Sequence, residues 1–165
     1  GELGLEHREQ RGGLHGFESL VVNLGISRAV VAVAAGDSHT CVLLNSMTGD
    51  DDGRVKCWGR GTEGQLGTGD SVSRGGEPRQ MGEGLVVVNF GMGPSPLPAA
   101  SAVVAAGNLS CFISVNRDLF CWGTSTWIDS CLTPRQVPLG VTVAIVSCGA
   151  VHCCALTVSG EVRCW

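Results

Sequence analysis

Three stretches of this chain repeat one pattern, and an internal repeat constrains the architecture before any single residue is interpreted. Residues 35–67 read AGDSHTCVLL, an insert, then GRVKCWGRGTEGQLG. Residues 106–123 read AGNLSCFISVNRDLFCWG, and residues 148–165 read CGAVHCCALTVSGEVRCW. Each has a small residue or Cys before Gly, a Cys on an apolar strand, a turn, and a second strand ending Cys-Trp. Residues that recur in every repeat build scaffold, which lowers the odds that any of them is an active-site group.

The apolar stretches are strand-sized, and the longest, residues 29–35, falls far short of the ~18 residues that cross a bilayer as a helix. Val30–Ala35, Ala102–Ala106 and Thr142–Ser147 are near-continuous runs, which predicts inner strands covered on both faces. Two inserts, residues 45–53 (NSMTGDDDG) and 91–98 (GMGPSPLP), interrupt the repeat spacing and read as surface loops. With 25 Gly and short apolar strands the chain is expected to be all-β.

The third repeat fixes a register. Val158-Ser159-Gly160 forms a three-residue hairpin loop with Gly160 in the left-handed position. Pairing Thr157 with Glu161 then places Leu156 opposite Val162, Ala155 opposite Arg163 and Cys154 opposite Cys164. The same count pairs Cys111 with Cys121 and Ile113 with Leu119. In the first repeat it pairs Cys41 with Cys57 and Leu43 with Val55, with the acidic insert outside. Arg117 is the misfit, standing where the third repeat has Gly160. The Cys pairs fall on non-hydrogen-bonded positions, whose Cα atoms sit about 4.5 Å apart, within reach of a disulfide. Each such bond would contribute about 2–3 kcal/mol. Two readings stand: three hairpin disulfides, or buried thiols in the core. Nine Cys is an odd number, so at least one free thiol is expected. Cys131, Cys148 and Cys153 are left over, and spacing gives no warrant for joining Cys131 to Cys148.

The pattern resembles the repeat of the regulator of chromosome condensation (RCC1) family, including its alpha-tubulin-suppressor-like relatives. The residues that carry the resemblance are Ala35, Gly36, His39, Gly53, Val55, Trp58, Gly59 and Gly64-Gln65-Leu66-Gly67. Gly1-Glu2-Leu3-Gly4 resembles the GQLG tail of a preceding repeat. The second repeat departs from the pattern, with Leu109 or Ser110 at the His position. The resemblance implies a β-propeller of about seven blades, of which this chain would supply about two to three. The expected organisation is a tail (1–29), a repeat with inserted loops (30–100), a second repeat (101–141) and a truncated third (142–165), all built from four-stranded blades. The scaffold positions are Gly36, His39, Trp58, Gly59, Gly67, Gly107, Trp122, Gly123, Gly149, His152 and Trp165.

No constellation for catalysis emerges. His39 and His152 lie near Cys41 and Cys153/Cys154, but there is no CxxC spacing, and adjacent Cys on a strand face opposite ways, which disfavours zinc. Nothing singles out one Cys of nine as a nucleophile. Asp50, Asp51 and Asp52 are consecutive, unlike the alternating ligands of a calcium loop, and read as a solvated tip or a partner contact. Residues 61–69 are Gly-rich but lack the P-loop Lys. Trp127 lies outside the repeat and is the candidate exposed aromatic contact. No cofactor is implied. A formal net charge of −4 gives no basic footprint for nucleic acid.

The expected function is a non-catalytic protein-interaction or scaffold module, completed by further blades or by self-association. Two alternatives accompany it. The family's founding member implies guanine-nucleotide exchange on a small GTPase. Plant receptor kinases with Cys-bearing repeats imply a Cys-bridged ligand-binding ectodomain. Paired Cys would favour a secreted or ectodomain setting and reduced Cys a cytoplasmic or nuclear one. Asn108-Leu109-Ser110, a glycosylation sequon, tilts weakly towards the former.

Overall fold

A computed structural model of the chain describes residues 1–6, 20–25, 28–46, 53–91 and 98–165. The strands are β1 (Arg28–Ala35), β2 (His39–Ser46), β3 (Arg54–Gly59), β4 (Ala100–Ala106), β5 (Leu109–Ser114), β6 (Leu119–Ser125), β7 (Ile128–Gln136), β8 (Val143–Cys148), β9 (Cys153–Thr157) and β10 (Val162–Cys164), with one 3-10 turn at Gly82–Gly84. All pair antiparallel in three sheets, ordered β1-β2-β3, β4-β5-β6-β7 and β8-β9-β10. The fold is an incomplete β-propeller: three consecutive blades.

Among the described residues the middle blade has four strands and the first has three, a correction to the expectation of four-stranded blades; the third, expected to be truncated, also has three. In the first blade the outer position is held by two isolated bridges, Lys56 to Val87 and Gly59 to Arg74. There the turn-rich segment after Gly67 touches β3 without running along it. The register follows the hairpin count: Cys41 faces Cys57, Cys111 faces Cys121, Cys154 faces Cys164, and Ile113 faces Leu119.

The inner strands correct a second expectation. β1 and β8 are not covered on both faces, since Val31, Val33 and Ile145 are 55%, 69% and 60% exposed. β4 is better covered, with Ala100 and Val103 buried. The reason is packing: β4 touches both β1 and β8, so its blade has a neighbour on each side. One buried cluster joins the first two blades through Cys41, Val55, Leu66, Phe112 and Trp122, and a second joins the last two through Leu109, Ile113, Val143 and Val146.

Arg117 resolves the turn misfit. It takes φ +68, beside +78 for Gly53 and +90 for Gly160 at equivalent hairpin positions. The turn survives because its bonds are kept: Arg117 N donates to Ser114 O at 2.9 Å as Gly160 N does to Thr157 O at 3.1 Å. Ser114 Oγ also accepts from the amides of Asn116 and Asp118. A left-handed side-chain-bearing residue costs about 1–2 kcal/mol. Arg117→Gly is therefore expected to raise stability by about 1 kcal/mol, part of the gain being offset by the freer unfolded chain. A higher urea midpoint with an unchanged slope would register it.

Candidate functional site

The repeated residues meet at the seams between blades. Gln65, in the tail of the first repeat, is fully buried. Its carbonyl accepts from Trp122 Nε1 at 2.9 Å and from Ser110 Oγ at 2.8 Å, both in the second blade. His39 of the first blade reaches the same hydroxyl, with Nε2 2.7 Å from Ser110 Oγ. Because that hydroxyl gives its hydrogen to Gln65 O, His39 must donate from Nε2, and Nδ1 is left as a bare acceptor. Nδ1 has no partner. Protonating it would create a buried donor with nothing to bond, and burial lowers the His39 pKa to about 4 against a smaller opposing pull from Asp37.

The tail geometry occurs twice. Gly67 N donates to Gly64 O, and Gly4 N to Gly1 O, both at 2.9 Å. Trp58 Nε1 donates to Glu2 O at 2.9 Å, matching Trp122 on Gln65. Gly67 and Gly4 have φ +69 and +65, and a Cβ on either would stand 2.5 or 2.7 Å from the indole nitrogen it covers. The third Trp lacks this arrangement, because β7 occupies the sequence where a second tail would lie. Trp165 Nε1 is buried without a partner, and Trp127 packs edge-on against that ring, centroids 5.6 Å apart. Trp127 is thus half-buried in the seam between the second and third blades, not a free-standing aromatic.

The His position is settled by register. His39 faces Gly59 and Leu109 faces Gly123, so Leu109 is the counterpart of His39. The counterpart of Gly36 is Ala106, one residue before the Gly107 that sequence alignment selects. A Cβ on Gly36 or Gly149 would run into the ring of His39 or His152. In the second blade Leu109 replaces the ring, so Ala106 fits and Gly107 takes the turn at φ +54. His152, unlike His39, is exposed. Gly59 and Gly123 have φ +106 and +93, and leave room for the carbonyls of Ser38 and Asn108.

Eight of the nine Cys are in disulfides: Cys41–Cys57, Cys111–Cys121, Cys148–Cys153 and Cys154–Cys164, with Cys131 a buried thiol. The third is the one that sequence reasoning missed, and it corrects the idea that Cys148 might reach Cys131. Counting register across the turn between β8 and β9 would have found it, since Cys148 faces Cys153. Adjacent Cys153 and Cys154 face opposite ways and tie the central strand to both neighbours. Cys41, two residues along β2 from His39, is bonded to Cys57 and offers no thiolate.

The surface with room for a partner lies at the hairpin-tip end of the blades. A cleft of about 250 Å³ between the first two blades is lined by Val31, Leu43, Leu44, Ala99 and Val115. The first insert leaves and rejoins the fold in its lining, at Asn45 and Gly53, the second rejoins beside it at Ala99, and Ala100 N closes onto Gly53 O at 2.9 Å. A second cleft of about 500 Å³, between the last two blades, is lined by Asp118, Gln136, Val137, Leu139 and Ser159. Asp50, Asp51 and Asp52, the candidate acidic contact, lie outside the described residues. Among those described, no cluster of His, Cys, Asp and Glu could hold a metal, and no helix is long and apolar enough to cross a membrane.

Comparison with known proteins agrees with this architecture. Residues 52–113 match the regulator of chromosome condensation (RCC1) repeat. The ultraviolet-B receptor UVR8 of Arabidopsis thaliana is 29% identical over 153 residues, which cover 84% of this chain and 30% of that protein. Among solved structures, human WBSCR16 superposes with a TM-score of 0.68 at 22% identity, over 99% of this chain and 40% of that one. The ectodomain of the Physcomitrella patens receptor kinase CR4 gives 0.57 at 20%, over 90% and 33%. Prp20p of Saccharomyces cerevisiae, described with its binding to Gsp1p and histones, gives 0.56 at 17%, over 82% and 33%. The chain thus spans about a third of the length of such proteins, and these likenesses show the fold.

Proposed function

From a chain that carries an RCC1 repeat and folds as consecutive blades of an RCC1-like propeller, we infer a non-catalytic protein-interaction module of the disulfide-bridged, ectodomain kind. The observation that carries this reading is the cysteine pairing. Eight of nine Cys are bonded, and three of the bonds repeat at one register position of successive blades. Disulfides at scaffold positions persist in oxidising compartments and are rare where glutathione keeps thiols reduced. Likeness in fold to the CR4 ectodomain supports the same setting. In this reading residues 1–29 end a preceding repeat, and 30–100, 101–141 and 142–165 are successive repeats. The partner sits on the hairpin-tip end, where the clefts lie and the first insert is rooted. Rigid blades carry adaptable loops there, a common way to build recognition. The open faces of β1 and β8 are covered by further blades or by a second copy.

Guanine-nucleotide exchange is the competing reading, supported by the fold shared with Prp20p. Thiol counting separates the two. Protein from its native source, denatured and alkylated without reductant, is expected to take one label, on Cys131. Nine labels would overturn the ectodomain reading and make nucleotide release from a small GTPase the next assay.

A further inference from the structure

We propose that Asn108 is an N-glycosylation site, modified on the nascent chain before the blade closes over its sequon. The inference rests on the disulfide-bearing, secretory setting proposed above. Asn108-Leu109-Ser110 is the only N-x-S/T sequence in the chain. It falls on the tight turn between β4 and β5, where Ala106 pairs with Leu109 and Gly107 is left-handed. Asn108 is half-buried, and its two amide atoms are in different situations. Oδ1 accepts from Gln65 Nε2 at 3.3 Å. Nδ2 makes no hydrogen bond among the described residues, yet it is not among the sealed, unpartnered polar atoms, so solvent reaches it. That is the atom a glycan takes, and the bond to Gln65 survives the substitution.

The hydroxyl of the sequon dictates the order of events. Ser110 is fully buried, bonded to Gln65 O and His39. A transferase that must engage this hydroxyl can do so only while the chain is unfolded. In the transfer, Nδ2 attacks the first sugar carbon of a lipid-pyrophosphate-linked oligosaccharide. The new C–N bond replaces the C–O bond to pyrophosphate, and the amide proton leaves as the lipid pyrophosphate departs. The sugar then projects from the blade end opposite the hairpin tips and leaves both clefts open.

The test reads occupancy directly. Protein from its native source is treated with peptide-N-glycosidase A in heavy-oxygen water, which turns a glycosylated Asn108 into labelled Asp. Label at Asn108 in most molecules is expected. A bare Asn108 in disulfide-bonded protein overturns the proposal and leaves the interaction-module reading standing, whereas nine free thiols would remove that reading itself. In a second arm the full chain, fused behind a signal peptide, is translated with microsomes. The protease-protected product should shift in mobility, the shift should vanish in Asn108→Gln, and microsomes added after disulfide-bonded folding should give none. An unshifted protected chain, or modification of the folded one, would also overturn it.

Discussion

Gly67→Ala is expected to cost about 3–6 kcal/mol, a large part of the roughly 5–15 kcal/mol that holds a domain together. Gly67 has φ +69, where Ala loses about 1–2 kcal/mol. Its new Cβ would also stand 2.5 Å from Nε1 of Trp122, a fully buried ring with no space to retreat. Overpacking of that kind costs about 1–3 kcal/mol, and the loss of the Trp122–Gln65 bond about 1 more. The blade pair rather than a single strand should come apart, because the tail of one repeat is what clamps the Trp of the next. Chemical denaturation followed by Trp fluorescence would show it. A variant within 1 kcal/mol of the parent would mean that the tail is not a clamp. Gly69→Ala is the control: it shares a positive φ, +89, but its Cβ meets only atoms beyond 3.6 Å.

Acid should weaken the same seam through His39. Its folded pKa of about 4 lies below the unfolded value of about 6.5, so the unfolded state binds the proton first. The contribution is fully present above pH 6.5, declines as pH falls, and is lost by about pH 4. Linkage over that gap amounts to about 3 kcal/mol. Urea midpoints measured between pH 7.5 and 4 should fall accordingly. His39→Leu, which puts into the first blade the residue that Leu109 supplies in the second, should flatten that window. Asp70 does not confuse the comparison. Its hydrogen bonds to Arg74 hold its carboxyl well below the usual range, so its own loss comes at lower pH. An unchanged slope in His39→Leu would show that this imidazole is not the group titrating.

Much of the site was legible as local register. A β-hairpin has a side-chain period of two and a turn of fixed size, so Gly160 alone fixed Cys154 opposite Cys164. Carrying the count through the repeats set two more Cys pairs face to face, one of them across the acidic insert. The fourth lies just as near, five residues apart across the turn between β8 and β9, on the inner strand and not in the hairpin that carries the other three. The His position stayed open between Leu109 and Ser110 for another reason. Gly36 and Gly107 look equivalent in sequence, yet Gly36 is small to admit the His39 ring, whereas Gly107 is small to turn left-handed. One residue type served two physical needs, and only the pairing partners tell them apart.

The sequence by itself determined what repeats and short-range geometry can encode: an all-β chain, blades of one family, hairpin registers and the cysteines that face each other. Tertiary structure alone decided what each blade meets at its seams. It buried His39 against a serine on another blade, turned Trp127 inward against Trp165, and left β1 and β8 open while covering β4. Those outcomes depend on contacts between residues far apart in the chain, and local periodicity carries no information about which surface a neighbour will cover.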